Sequence, residues 1–177
     1  QWICGSAVFA YDYSHKFQPA DLLHKIEKYK ITTFCAPPTI YRFFIKANLK
    51  DFDLSSLKYC VVAGEPLNPE VFKQFYDATG LMLMEGFGQT EMTVAIATLP
   101  WMKPKPGSMG KPVAGYEIAL IDADGNVCDT GEEGQIVIKT DKIRPVGLFD
   151  GYYRDERLTK SVWHDDIYYT GDMAWQD

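Results

Sequence analysis

Residues 57–84 have the sequence LKYCVVAGEPLNPEVFKQFYDATGLMLM, and this stretch decides the fold. It starts with an apolar, β-branched run over Leu57–Ala63, which predicts a buried strand. The pair Asn68–Pro69 is typical of a helix start, and Gly80 is typical of a helix end. A short apolar run over residues 81–84 predicts a second strand. A strand, a helix and a strand in this order predict parallel strands with helices packed on their faces.

The same alternation extends toward the start of the chain. The apolar run Trp2–Tyr11 predicts a strand, and a helix is predicted from Pro19 to about Tyr29 because apolar residues recur there at helical spacing. A short strand is predicted over Ile31–Ala36. Thr39 is suited to cap the helix that follows, because its hydroxyl can accept a hydrogen bond from a free backbone N–H.

The character of the sequence changes after about residue 100. A loop rich in Pro, Gly and Lys comes first, and hairpin signals follow it. We predict paired strands over Tyr116–Ile121 and Gln135–Lys139, joined by a turn rich in Asp and Gly. The chain is therefore predicted to divide into an α/β part over residues 1–100 and a β-rich part over residues 101–177.

Composition bounds the possible functions. With 46% apolar residues the chain can form a packed core, and its formal charge of −6 without a Lys/Arg run argues against a nucleic-acid-binding module. We find no transmembrane stretch and no signal peptide, and we expect a cytoplasmic protein. The four cysteines lack metal-site spacing, which favours free, buried thiols. Because the chain starts inside one predicted strand and stops just after another, we expect an internal fragment.

Three segments combine turn residues with groups suited to a nucleotide. The first, Gly64-Glu65-Pro66, directly follows the strand over Leu57–Ala63. That position is the carboxyl edge of a parallel sheet, where ligands bind, and Gly64 allows a flat group to approach the backbone. Taken alone, this segment is better explained by an ordinary strand-to-helix turn.

The second segment is EGFGQTE, residues 85–91. Phe87 is suited to cover an aromatic ring, and the Thr90 hydroxyl is suited to donate to a phosphate oxygen. Glu91 is a hard oxygen ligand of the kind that Mg²⁺ prefers. The alternative is a glycine-rich turn with a solvated glutamate.

The third segment is YYTGD, residues 168–172, which predicts a tight turn followed by a single carboxylate. The carboxylate of Asp172 can accept hydrogen bonds from both hydroxyls of a ribose, as the acidic residue of dinucleotide sites does. An aspartate in an ordinary β-turn is the alternative.

Taken in this order, and with PGSMGKP at residues 106–112, the three segments resemble the core motifs of the adenylate-forming superfamily. That superfamily includes acyl-CoA synthetases, the adenylation domains of nonribosomal peptide synthetases and firefly luciferases. Residues 147–172 are most similar to acetyl- and medium-chain acyl-CoA synthetases. The resemblance covers essentially the whole chain. It implies part of the large N-terminal domain of such an enzyme, with a parallel sheet and flanking helices followed by a β-rich subdomain.

The resemblance also implies an activity and a site. The parent enzyme joins a carboxylic acid to the α-phosphate of ATP and then transfers the acyl group to coenzyme A. Gly64–Pro66 line the adenine, and Glu85–Phe87 lie along the adenine and the acyl-adenylate. Thr90 holds the α-phosphate, Glu91 binds Mg²⁺, and Asp172 holds the ribose hydroxyls. The residues assigned to the nucleotide are Gly64, Glu65, Pro66, Glu85, Gly86, Phe87, Gly88, Gln89, Thr90 and Asp172, and those assigned to catalysis are Thr90 and Glu91.

Gly88 bears on the acyl substrate. Acetyl-CoA synthetases that resemble this chain have a Trp just before the Gln of the motif, where it closes the acyl pocket. Gly88 removes this wall, which predicts a pocket for a medium-length or branched acyl group. The alternative is that another side chain fills the space.

Two parts of the family pattern have no counterpart in the 177 residues. These are the Ser/Thr/Gly-rich phosphate loop with its Lys, and the small C-terminal domain with its catalytic Lys. We therefore expect the chain to be inactive without the missing N- and C-terminal parts of its parent. Three other functions stay open: an adenylation domain that loads a carrier protein, a luciferase-type enzyme, and a nucleotide-binding module that has lost its chemistry.

Overall fold

The computed structural model describes residues 4–12 and 16–177. The chain divides into two compact units. Unit 1 comprises residues 1–86 and 98–110, and unit 2 comprises residues 87–97 and 111–177.

Three parallel strands form the centre of unit 1. They are β1 (Thr33–Ala36), β2 (Tyr59–Ala63) and β3 (Leu83–Gln89), and β2 lies between the other two. Cys60 on β2 pairs with Phe34 on one side and with Leu83 on the other. The predicted parallel strands are thereby confirmed. However, β3 runs to Gln89 rather than ending at residue 84, so most of the predicted EGFGQTE turn is strand.

Helices α1 (Pro19–Tyr29), α2 (Pro38–Lys46) and α3 (Pro69–Thr79) complete unit 1, with a 3₁₀ turn over Leu49–Asp51. Each α-helix begins at a proline, whose missing N–H is not needed at that position. As predicted, the Asn68 side chain caps α3 by accepting from the Glu70 N–H at 2.8 Å. Gly80 ends α3 with φ +72°. The helices pack on the sheet through a buried apolar cluster that includes Leu23, Ile26, Tyr41, Phe44, Cys60, Val62, Phe75 and Leu83.

Two predictions for this unit are wrong. Thr39 does not cap α2, because the N-cap is Pro37 and Thr39 already lies in the first turn. The strand predicted over Trp2–Tyr11 is absent from residues 4–11, and its first two residues lie outside the described part of the chain. Val8 and Phe9 are 48% and 40% exposed. An apolar run forms a strand only where it can pair with a neighbouring strand and bury its side chains, and these residues do neither.

Unit 2 is mainly antiparallel. The strands β4 (Met92–Ala97) and β5 (Lys111–Pro112) pair with each other. A second sheet has the order β6-β7-β9-β8, formed by β6 (Glu117–Ile121), β7 (Glu133–Lys139), β8 (Trp163–His164) and β9 (Ile167–Trp175). The predicted β6–β7 hairpin is confirmed, whereas β4 and the helix α4 (Glu156–Val162) were not predicted. An apolar cluster of Met92, Ala95, Ile138, Leu148 and Tyr168 forms the core.

A β-bulge interrupts β9 at the YYTGD segment. Tyr169 pairs with Val137, and Met173 pairs with Gln135. These two pairs are closer together in sequence on β7 than on β9, so β9 contains extra, unpaired residues between them. Gly171 has φ +79°, and the Thr170 hydroxyl donates to the Ile136 carbonyl at 2.7 Å. Asp172 therefore stands at a bulge within a long strand. The sequence had instead predicted a tight turn before this residue.

The predicted fold class is confirmed: α/β, with a parallel sheet and flanking helices followed by an antiparallel, β-rich part. The functional division at residue 100 stays a prediction. All four cysteines are free; Cys60 and Cys128 are buried as expected, but Cys4 and Cys35 are exposed. No helix formed by the described residues is both long and apolar enough to span a bilayer.

Candidate functional site

The turn after β2 is held by the carboxylate of Glu65. Its Oε1 accepts from the backbone N–H and the hydroxyl of Thr39, at 3.1 and 2.6 Å. Its Oε2 accepts from Arg42 at 3.2 Å. The Thr39 hydroxyl is the main cause of the lowered pKa of Glu65. The N-cap residue of α2 makes no side-chain cap, and Glu65 takes over this role by accepting the Thr39 N–H in the first turn of the helix. The neighbouring Gly64, with φ +91°, therefore lies in a turn that is attached to α2 through Glu65.

Glu85 is a buried carboxylate at the end of the unit 1 part of β3. Glu85 is 8% exposed. Burial raises its pKa to about 7, while the backbone N–H groups of Leu67 and Gly107 act on the pKa in the opposite direction. The Glu85 carbonyl accepts from the Thr98 N–H at 2.8 Å. The main chain of Glu85 is therefore fixed on both sides, by its pairing with Val62 and by Thr98.

The two-residue turn Thr90-Glu91 joins β3 to β4. The side chain of Thr90 is exposed, whereas Glu91 is half-buried. Tyr152 donates its hydroxyl to Glu91 Oε1 at 2.8 Å, and the Phe149 N–H donates to the Glu91 carbonyl at 2.7 Å. The hydrogen bond from the Tyr152 hydroxyl to the Glu91 carboxylate is the main cause of the raised pKa of Tyr152.

The surroundings of Glu91 fit a magnesium ion whose other ligands are water molecules and the phosphates of a substrate. Within residues 4–12 and 16–177, no group of three or more His, Cys, Asp and Glu side chains could hold a metal. Mg²⁺ is commonly bound by one or two carboxylates, while water and substrate phosphates fill the remaining positions. A single carboxylate held by Tyr152 suits that mode of binding and does not suit a closed metal site made only of protein ligands.

Gln89 connects the end of β3 to the bulge in β9. Its Nε2 donates to Asp172 Oδ2 at 2.6 Å and to the Thr170 carbonyl at 2.9 Å. Its Oε1 accepts from the hydroxyl of Tyr168 at 2.8 Å. Tyr168 is 2% exposed, and burial is the main cause of its raised pKa. The exposed Asp172 carboxylate is thus anchored through Gln89 to a buried side chain.

The middle of the EGFGQTE segment belongs to strand β3, and strand pairing determines the surroundings of its residues. Gly86 pairs with Ala63 on β2. Phe87 is half-buried and packs against the apolar core of unit 2. A Cβ atom on Gly88 would lie 3.1 Å from the Thr93 carbonyl oxygen and 3.2 Å from Val94 Cα, so glycine is favoured there by the close approach of β4.

The structure joins some of the predicted site residues directly. Within unit 2, Gln89 donates to Asp172; within unit 1, Gly86 pairs with Ala63, directly before Gly64. The sequence did not indicate that the side chains of four residues hold Glu65, Glu91 and Gln89; these are Thr39, Arg42, Tyr152 and Tyr168. Of these four, only Tyr168 lies inside a quoted motif, and no local pattern identified the other three.

Comparison with known proteins identifies the family. A family model described as "AMP-binding enzyme" matches residues 2–153. The human acyl-coenzyme A synthetase ACSM3, mitochondrial, is 40% identical over 176 residues, covering 99% of this chain and 30% of that protein. The 4-hydroxybutyrate–CoA ligase 1 of Metallosphaera sedula is 41% identical, covering 99% of this chain and 31% of that protein.

A solved structure agrees. The crystal structure of the anthranilate CoA ligase AuaEII in complex with anthranoyl-AMP superposes with a TM-score of 0.82 at 30% identity, covering 90% of this chain and 30% of that one. The chain spans about 30% of the length of the curated relatives it matches. The name of the human relative places that protein in mitochondria, so the comparisons do not support the cytoplasmic location that we predicted. The chain belongs to the AMP-binding enzyme family.

Proposed function

We propose that the protein carrying this chain is an AMP-forming acid–CoA ligase. It activates a carboxylic acid with ATP to give acyl-AMP and pyrophosphate, and it then transfers the acyl group to coenzyme A. The observation that supports this most strongly is the match of 99% of the chain to relatives named as CoA synthetases and ligases. The partners are therefore small molecules: the acid, ATP and coenzyme A.

In unit 1, the proposed role of Gly64–Pro66 is to lie along the adenine through its backbone. The Glu65 carboxylate is already engaged by Thr39 and Arg42, so we assign its side chain to shaping the turn and not to the ligand. Glu85 and Gly86 are assigned to the wall of the same nucleotide position. The anchored turn supports this role because it presents the backbone in one fixed shape.

In unit 2, the exposed hydroxyl of Thr90 is assigned to the α-phosphate and Glu91 to Mg²⁺. When bound, the ion would supply positive charge where negative charge develops on the phosphates as the acyl-adenylate forms. Tyr152 orients the Glu91 carboxylate by binding Oε1. Asp172 is assigned to the ribose hydroxyls, since Gln89 engages Oδ2 and holds the carboxylate in place.

For the acid, we propose a pocket larger than acetate requires. Gly88 carries no side chain, and two relatives are named for acids larger than acetate, 4-hydroxybutyrate and anthranilate. A side chain at Gly88 has to displace the β4 backbone, because its Cβ would lie 3.1 Å from the Thr93 carbonyl oxygen, so the test must separate strain from the effect on the pocket. Replacing Gly88 by Trp should shift preference toward acetate in a panel of linear and branched acids. Gly88→Ala is the control for strain against β4; an unchanged preference in Gly88→Trp would contradict this pocket.

We also propose that residues 1–177 alone do not catalyse the reaction. The family elements that neutralise the β- and γ-phosphates have no counterpart in this sequence, and without them the transition state lacks compensating charge. Purified residues 1–177 should therefore give no exchange of pyrophosphate into ATP with any acid of the panel. Clear exchange would contradict this proposal.

Product analysis tests the proposed function. The intact protein that carries this sequence should convert ATP to AMP and pyrophosphate when a suitable acid and coenzyme A are present, with one acyl-CoA formed per AMP. Release of ADP and phosphate would assign a different ligase chemistry. Acyl transfer to a carrier protein but not to coenzyme A would identify an adenylation domain, and nucleotide binding without turnover would identify a non-catalytic module.

A further inference from the structure

The segment Gly147–Phe149 runs beside Glu91 and the start of β4. The Phe149 N–H donates to the Glu91 carbonyl at 2.7 Å, and the Thr93 N–H donates to the Gly147 carbonyl at 3.0 Å. These residues all belong to unit 2. The segment therefore fixes the main chain of the residue assigned to Mg²⁺, although the proposal above gives the segment itself no function.

The ring of Phe149 contacts the two tyrosines that hold side chains of the candidate site. Its centroid is 5.0 Å from the ring centroid of Tyr152 and 5.5 Å from that of Tyr168, and both contacts are edge-on. Tyr152 donates to the Glu91 carboxylate, and Tyr168 donates to the glutamine side chain that binds Asp172. Because aromatic rings prefer this edge-to-face geometry, the position of the Phe149 ring restricts the positions of both tyrosines.

Arg144 contacts Phe149 in two ways. Its Nη2 donates to the Phe149 carbonyl at 2.8 Å, and its guanidinium carbon lies 4.4 Å from the ring centroid of Trp163. The Trp163 ring stacks with the Phe149 ring, with 6.0 Å between centroids and 20° between planes. A planar guanidinium can donate hydrogen bonds and stack on a ring at the same time. Arg144 thus holds both the main chain of Phe149 and the ring that stacks with it.

The ion pair between Arg144 and Asp150 is a weaker contact. Nη2 lies 2.5 Å from Asp150 Oδ1, but the Asp150 side chain is 97% exposed. Ion pairs exposed to water contribute little to stability. The bond to the Phe149 carbonyl and the stacking on Trp163 are therefore the contacts through which Arg144 acts on its surroundings.

We propose that Arg144 is a positioning residue that sets Tyr152 and Tyr168 together through Phe149. The two tyrosine hydroxyls, and with them the carboxylates assigned to Mg²⁺ and to the ribose, are then oriented as a pair. The effect on Mg²⁺ and on the nucleotide rests on the proposed function, whereas the connection from Arg144 to the two tyrosines does not.

NMR of selectively labelled tyrosine tests the connection in the intact, ligand-free protein that carries this sequence. Arg144→Met keeps the apolar stem but removes the charge and the donors, so the ring resonances of both Tyr152 and Tyr168 should shift. Lys142→Met is the matched control, because it removes one positive charge and one exposed ion pair, with Glu117, from the same segment, and it should shift neither tyrosine. Unchanged resonances in Arg144→Met, a shift of one tyrosine only, or equal shifts in the control would overturn the proposal.

Magnesium binding tests whether Arg144 acts through Tyr152. Arg144→Met should raise the Kd for Mg²⁺ by about threefold or more, measured by isothermal titration in the presence of a non-hydrolysable ATP analogue. Added to Tyr152→Phe, it should raise this Kd by less than about twofold further, because both changes act on the same hydrogen bond. Fully multiplicative effects would mean that Arg144 acts by another route and would overturn the proposal.

AMP binding without Mg²⁺ tests the second tyrosine in the same way. Arg144→Met should raise the Kd for AMP by about threefold or more, and by less than about twofold when Tyr168→Phe is already present. Multiplicative effects here would also overturn the proposal. If Arg144→Met does not fold, Arg144→Lys takes its place, because an ammonium group keeps the charge but lacks the planar fork that donates to the carbonyl while stacking on Trp163.

Failure of the site assignment gives a different result. If both tyrosine resonances shift in Arg144→Met but neither Tyr152→Phe nor Tyr168→Phe weakens binding, the connection stands and the assignment of the two carboxylates to Mg²⁺ and the ribose fails. If the two tyrosine variants weaken binding and Arg144→Met does not, the assignment stands and the positioning role of Arg144 is overturned.

Discussion

Gln89 and Asp172 are joined by a hydrogen bond of 2.6 Å between Nε2 and Oδ2, across 83 positions of sequence. The bond fixes one oxygen of a carboxylate that is otherwise exposed, at a bulge where the strand itself is irregular. Because Gln89 also accepts from buried Tyr168, the amide has one orientation that satisfies all of its described partners. In the role proposed for Asp172, a carboxylate held in this way would accept two ribose hydroxyls with less loss of side-chain freedom on binding.

Tyr168→Phe tests this anchor. The substitution keeps the buried ring but removes the donor to Gln89, so the amide loses its fixed orientation. We expect a loss of about 1 kcal/mol in the free energy of unfolding and a several-fold rise in the KM for ATP. Thermal or chemical denaturation and initial-rate kinetics measure the two effects. The control is Tyr169→Phe, since neighbouring strand residues point to opposite faces; an equal rise in KM in this control would count against the anchor.

Tyr152→Phe tests the orientation of Glu91. Without the hydroxyl donor at 2.8 Å, the carboxylate is free to rotate, and we expect the Mg²⁺ concentration for half-maximal activity to rise by about three- to tenfold. Isothermal titration of Mg²⁺ in the presence of a non-hydrolysable ATP analogue gives a readout that does not depend on turnover. Tyr153→Phe is a matched control because Tyr153 is 84% exposed. Equal responses of the two variants would contradict the role given to Tyr152.

Thr39→Val tests the cap on α2. The change keeps the shape of the side chain but removes the hydroxyl that donates to Glu65 at 2.6 Å. Because this bond is the main cause of the lowered pKa of Glu65, the pKa should move up toward its ordinary value, as measured by carboxyl-carbon NMR. Glu27 on α1, whose pKa is lowered mainly by the Asp53 N–H, should not change. A Glu65 pKa that stays equally low in the variant would show that the Thr39 hydroxyl is not its main cause and that the Thr39 N–H and Arg42 are sufficient.

Glu85 makes the free energy of unfolding depend on pH. Its pKa in the folded protein is raised to about 7 from an ordinary 4.5, mainly by burial. The protonated form is favoured by folding, so the contribution is fully present below about pH 4.5 and is lost as the pH rises through 7. The loss should be on the order of 3 kcal/mol.

The difference in unfolding free energy between the unaltered protein and Glu85→Met isolates this contribution. It should change across the interval from about pH 4.5 to 7 and be level on either side. Denaturant titrations at a series of pH values provide the measurement. A constant difference over the whole range would show that Glu85 keeps an ordinary pKa in the folded protein.

The sequence was informative where a local signal decides the local structure. The start of α3 at Asn68–Pro69 and its end at Gly80 were predicted because capping chemistry lies within a few residues. The extent of β3 was not predicted, because two glycines in EGFGQTE suggested a turn while strand pairing, a long-range contact, kept the segment extended. Thr39 was assigned to the wrong bond for the same reason: its partner Glu65 lies 26 residues away.

The candidate site shows the same limit. Motif order alone indicated Glu65, Glu91 and Asp172 as candidate site residues and predicted the family. It could not identify the groups that hold their carboxylates, because Tyr152 lies 61 positions from Glu91 and nothing in either local pattern connects them. Likewise, the sequence indicated a turn before Asp172, whereas the bulge depends on how β9 pairs with β7.

Carboxylate-dependent exchange of labelled pyrophosphate into ATP is the most direct test of the central claim, that Asp172, held by Gln89, serves the formation of an acyl-adenylate. The intact protein that carries this sequence should exchange label only when a suitable acid is present, and Asp172→Ala should reduce the rate by about a hundredfold or more while the protein stays folded. Exchange at an undiminished rate in folded Asp172→Ala, or no acid-dependent exchange in the unaltered protein, would contradict the account.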